Sequence, residues 1–75
     1  MTFEWDETKA ECNEQKHGIS FQEAVSVFDD PLSELFDDPE HSGQEPRLIL
    51  VGQTQSGKLL VVSFTERSDV TRIIS

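Results

Sequence analysis

Two apolar, β-branched runs separated by five polar residues constrain this chain more than any other feature. Residues 59–64 read Leu-Leu-Val-Val-Ser-Phe and residues 70–74 read Val-Thr-Arg-Ile-Ile, which is strand chemistry. Thr65-Glu-Arg-Ser-Asp69 interrupts them. The last strand therefore pairs back on its predecessor through a turn at residues 66–69. The period of two puts Val70, Arg72 and Ile74 on one face of that strand, and Thr71, Ile73 and Ser75 on the other. Arg72 thus shares its face with two β-branched residues, where a long cation either snorkels or lines a site.

The rest of the chain supplies partners for this hairpin. Residues 47–54 form a strand joined to residues 59–65 by Gln55-Ser-Gly-Lys58, a hairpin signal. Phe3-Glu4-Trp5, within residues 2–5, suits an edge strand. Asp6 is a good N-cap and Glu7 suits the helix dipole, so a helix runs to about His17 and stops at Gly18. That helix is polar nearly all round and packs shallowly by Ala10, Asn13 and His17. Ser20 and Glu23 form a capping box for a second helix with an apolar stripe of Phe21, Ala24, Val25 and Phe28. Asp29-Asp30-Pro31 ends it. Residues 32–36 read as a short strand, and residues 37–46 combine Pro, Gly and acids into a mobile loop. The expected fold is α+β, with two N-terminal helices packed on an antiparallel sheet that ends in a three-stranded meander. It forms one domain over residues 1–75.

Composition narrows the setting. A chain of 75 residues is near the lower limit for a single hydrophobic core. The longest apolar run, residues 59–62, is far too short to span a membrane, and no leader peptide is visible. The one cysteine, Cys12, cannot form an internal disulfide, which fits a reducing cytoplasm. A net charge of −9, with only six Lys and Arg, argues at face value against nucleic-acid binding. The distribution matters more. Residues 1–45 hold thirteen acids and two lysines, a net of −11; residues 46–75 hold two acids and four basic residues, a net of +2. The sheet half can thus carry a small cationic face, while the acidic half suits a basic protein partner or plain solvation.

Four segments follow one another in a distinctive order: Phe3-Glu-Trp-Asp, Lys16-His-Gly-Ile-Ser-Phe-Gln-Glu-Ala, Asp30-Pro31, and Thr65-Glu-Arg with Arg72-Ile-Ile-Ser. Each is common alone. Their joint order and spacing over nearly all 75 residues resembles the BrnT-type toxins, small ribonucleases of bacterial type II toxin–antitoxin pairs with a RelE-like fold. The resemblance implies RNA cleavage by acid–base chemistry without a metal or other cofactor, and neutralisation by a cognate antitoxin of ribbon-helix-helix type. Members typically continue past Ile-Ile-Ser with Ala-Arg and a basic C-terminal helix, whereas this chain stops at Ser75. A catalytically degenerate, truncated relative acting as an acidic protein-binding module is therefore the alternative. Ile73 and Ile74 point to opposite faces, so both faces of the last strand ask for cover, which a homodimer would provide.

Cleavage through the 2′-hydroxyl needs a base, a cation for the phosphorane and an acid for the leaving oxygen. The resemblance and the residue types nominate Arg67, Arg72, Glu66 and His17 as catalytic, and Lys9, Arg67 and Arg72 as RNA-binding. The guanidinium fork matches phosphate geometry. Plain alternatives stand beside each: a salt-bridged turn for residues 66–72, a helix-capping residue for His17, and one polar stripe for Lys9, Asn13 and His17. His41 lies among acids, but one imidazole and scattered carboxylates do not make a metal site.

Overall fold

The two C-terminal runs pair, and their turn is tighter than their composition suggests. The computed structural model describes every residue except Met1, Ser42 and Gln44, and the backbone alone for His41. Strand β4 spans Leu59–Arg67 and β5 spans Val70–Ile73, leaving only Ser68 and Asp69 in the reversal. Ser68 takes φ 53°, a left-handed conformation that costs a residue with a side chain. Glu66 and Arg67 are thus strand residues rather than turn residues, and the pleat sends them to opposite faces.

Strand β3, Leu48–Gln53, pairs antiparallel with β4, and β2, Glu34–Asp37, pairs antiparallel with β3. Strand β2 begins later than the expected residue 32, because Asp30 first turns the chain. Its carboxylate accepts from the Leu32 N–H at 2.9 Å and its carbonyl from the Ser33 N–H at 3.1 Å. The first strand, β1 at Thr2–Glu4, lies beside the last, giving the order β1-β5-β4-β3-β2. It runs parallel to β5, so the sheet is mixed and the expectation of a purely antiparallel sheet is corrected. The fixing contact is aromatic. Phe3 meets Phe28 edge-on at 5.1 Å, and Phe28 meets Phe64 at 5.0 Å, which ties β1 to the core.

Helix α1, Glu7–His17, has the expected caps: Asp6 Oδ1 accepts from the N–H groups of Thr8 and Lys9, and Gly18 sits at φ 70°. None of its residues is buried. Ala10 is half-buried against the core, and Asn13 donates to the Ile19 carbonyl at 3.4 Å; His17, expected on the same packing face, is exposed. Helix α2, Phe21–Val25, continues as a 3₁₀ turn, Ser26–Asp29. Ser20 Oγ accepts from the Glu23 N–H at 3.1 Å, which is one half of the capping box. Glu23 does not return the bond. It accepts from Ser56 at 2.6 Å and pairs with Lys58 at 3.8 Å, tying the helix to the β3–β4 hairpin. The tighter 3₁₀ winding brings Val27 into line with Ala24. Phe21, Ala24 and Val27 are buried, while Val25 and Phe28 are half-buried.

The core lies on one face of the sheet, where Phe21, Ala24 and Val27 meet Leu50, Val62, Phe64 and Ile73. The other face is open near β2 and the start of β4, with Phe36, Leu59 and Val61 exposed. Ile73 is buried by the chain's own helical layer and Ile74 is half-buried, so only one face of the last strand still asks for cover. Within the expected loop, Pro39–His41 forms a 3₁₀ turn and the Asp38 N–H bonds to the Arg47 carbonyl at 3.0 Å. The expectation of mobility there falls on a stretch that includes Ser42 and Gln44, outside the described residues.

Candidate functional site

Strand register decides which charged residues meet. Thr65 lies opposite Arg72 and Arg67 opposite Val70, so Arg67 and Arg72 are diagonal neighbours on the face away from the core. They line a cavity of about 390 Å³ together with Lys9 from α1, Glu45, Arg47 and Thr65. Arg47 arrives there by continuing the alternation of β3 one residue backwards. The buried Thr65 hydroxyl donates to the Pro46 carbonyl at 2.8 Å and anchors the segment that carries Glu45.

Both arginines face carboxylates. The Arg67 fork makes two hydrogen bonds to Glu45, Nε–Oε2 at 2.5 Å and Nη2–Oε1 at 2.6 Å. That pairing holds the Glu45 carboxyl below its ordinary range and the Arg67 guanidinium above its own. Arg72 Nη1 lies 3.5 Å from Glu4 Oε1, because Glu4 is its register partner on β1. Neither carboxylate belongs to the 66–69 segment, so the reading of a self-contained salt-bridged turn does not describe these residues.

A second cavity, of about 340 Å³, adjoins the first, and Lys9 and Ile74 line both. Asn13, Lys16 and His17 line the second. Five of the six Lys and Arg residues, with His17, therefore lie along one strip of a chain whose net charge is −9. The sixth, Lys58, lines neither of these two cavities and pairs with Glu23. Glu66 is not brought to this strip. It sits opposite Thr71 on the core-side face of the sheet, exposed near the end of β4.

Sequence reasoning nominated Lys9, Arg67, Arg72 and His17 here, and missed Glu4, Lys16, Glu45 and Arg47. The signal for Arg47 was present in the alternation of β3. That for Glu4 required the parallel β1–β5 pairing, and Glu45 precedes the strand with no periodicity to place it. No group of three or more His, Cys, Asp or Glu among the described residues is arranged to hold a metal ion, and the His41 side chain lies outside what is described.

A family model described as the ribonuclease toxin BrnT of type II toxin–antitoxin systems matches residues 5–75. The chain belongs to the BrnT family. The match runs from Trp5 through both arginines, so the whole strip lies within the family region. BrnT proteins are the toxin half of a toxin–antitoxin pair, which gives this chain an antitoxin as its family partner. A search of curated proteins gave no match. No helix among the described residues is long and apolar enough to cross a membrane.

Proposed function

We propose that this BrnT-family chain cleaves RNA by metal-independent acid–base chemistry and is neutralised by a cognate antitoxin of ribbon-helix-helix type. The observation that carries the reading is the basic strip. A strongly acidic chain has gathered five of its six permanent cations along two adjoining cavities, which is the footprint of a phosphate backbone. Arg67 and Arg72 would grip the non-bridging oxygens of the scissile phosphate, and Lys9 an adjacent phosphate. A base removes the 2′-hydroxyl proton, the oxygen attacks phosphorus, and the arginines stabilise the added charge on the phosphorane. An acid then protonates the departing 5′-oxygen, leaving a 2′,3′-cyclic phosphate. Glu66 and His17 are the proposed proton carriers. Placement favours His17, which lines the cavity adjoining the arginines, whereas Glu66 lies on the other face of the sheet.

The mixed α+β sheet accords with a RelE-like fold, and the single cysteine with a cytoplasmic setting. Exposed Phe36, Leu59 and Val61 give the open sheet face the apolar character of a protein-binding surface, for the antitoxin or for a second copy in a homodimer. One observation favours the alternative of a catalytically silent, acidic binding module: each arginine already faces a carboxylate. Induced expression separates the readings. Growth arrest relieved by the antitoxin, with RNA cut by the purified protein, is the expected result. Absence of both arrest and cleavage, with antitoxin binding retained, would establish the binding module instead.

A further inference from the structure

Among the described residues lining the arginine cavity Glu45 is the acid, and its carboxylate takes both prongs of the Arg67 fork. A phosphate binds arginine through the same pair of parallel N–H···O bonds, so carboxylate and phosphate compete for one geometry. The position of Glu45 is built rather than incidental. Its neighbour Pro46 is fixed by the hydroxyl of buried Thr65, which lies two residues before Arg67 on the same strand face. The negative field of Glu45 also reaches Arg72, the other arginine of the cavity.

We propose that Glu45 is an internal stand-in for the substrate phosphate, holding the Arg67 fork until RNA displaces it. The inference rests on the reading of Arg67 and Arg72 as phosphate ligands. It accounts for Arg67 and Arg72 each facing a carboxylate of their own chain. Such a carboxylate keeps the fork pre-shaped and modestly weakens the hold on any single anion, so a ligand with several phosphates displaces it most readily. One phosphate displaces Glu45 while its neighbours engage Lys9 and Arg72. Both partners of the pair are about half exposed, which limits the penalty on binding to about two- to five-fold, the worth of an exposed ion pair.

The test uses a fluorescent 2′-O-methyl RNA oligonucleotide, which binds without being cut, and anisotropy at fixed salt. Glu45→Gln keeps the side-chain shape and is expected to bind about two- to five-fold more tightly than wild type. Glu34→Gln, on β2 away from both cavities, makes the same change in net charge and is expected to leave affinity close to wild type. In an Arg67→Ala background the gain from Glu45→Gln should vanish. Circular dichroism confirms that each variant is folded. If Glu45→Gln binds no more tightly than Glu34→Gln, or binds more weakly, the stand-in is overturned. In that case a weakening by Arg67→Ala alone leaves the phosphate-ligand reading intact. If Arg67→Ala alone leaves affinity unchanged, both inferences fall.

Discussion

Replacing Gly52 with alanine should be among the most damaging single-methyl changes available to this fold. Gly52 lies in β3 on the core side, beneath the segment that leaves the 3₁₀ turn. A Cβ there would stand 2.8 Å from Ser33 Cβ, 2.9 Å from Asp30 Oδ2 and 3.0 Å from Val27 Cγ1. Retreat is blocked on two sides. Val27 is fully buried in the core, and Asp30 is held by the N–H groups of Gln53 at 2.8 Å and Leu32 at 2.9 Å. Overpacking of this kind costs about 1–3 kcal/mol, and the fixed neighbours place it toward the upper end. For so small a domain each kcal/mol lowers Tm by roughly 4–8 °C, so a drop of about 10–20 °C is expected. Thermal and urea unfolding followed by circular dichroism measure it. Gly57→Ala is the control, because Gly57 sits at φ 86° with open space around it and should pay only backbone strain, about 1–2 kcal/mol. A Gly52→Ala protein melting within a degree or two of wild type would refute the close approach of the 3₁₀ segment to β3.

Ser20→Ala removes the N-cap of α2 and should cost about 1 kcal/mol in urea unfolding, whereas Val61→Thr on the exposed strand face should stay within about 0.5 kcal/mol. A Ser20→Ala cost no larger than that of Val61→Thr would contradict the capping role of Ser20. Acid should destabilise the protein through Glu23, Asp30 and Glu45, whose carboxyls are held below their ordinary range by hydrogen bonds from Ser56, from the Gln53 amide and from Arg67 respectively. A depressed folded pKa adds stability above the unfolded value, and that stability is lost as pH falls below about 4 through the folded one. Asp30→Asn should therefore flatten the acid side of the stability–pH curve, and an unchanged slope would show that Asp30 is not a source of it.

Much of the fold was legible because its signals are local. Asp6 and Gly18 bound α1 where capping chemistry says they should, and the strands expected at 47–54 and 59–65 are present as Leu48–Gln53 and Leu59–Arg67. What stayed hidden was nonlocal. The parallel pairing of Thr2–Glu4 with the last strand joins opposite ends of the chain, and nothing in Phe3-Glu4-Trp5 announces its partner. A helical period does not mark Val27, because the chain tightens to 3₁₀ at Ser26–Asp29. The shared face of Arg67 and Arg72 depended on a two-residue turn; a longer reversal would have changed the register and which side chains meet. Glu23 shows the limit of motif reading, since its Ser-x-x-Glu spacing is right while its carboxylate serves a distant hairpin.

The central claim is that the Arg67–Arg72 face stabilises a cleaving phosphate without a metal. Its most direct test is cleavage of a defined RNA by purified protein in excess chelator, comparing wild type with Arg67→Ala and Arg72→Ala. Wild type should cut and leave 2′,3′-cyclic phosphate ends, and each alanine variant should lose on the order of a hundred-fold in rate while remaining folded. Full activity in either arginine variant, or loss of wild-type cleavage on chelation, would contradict the account.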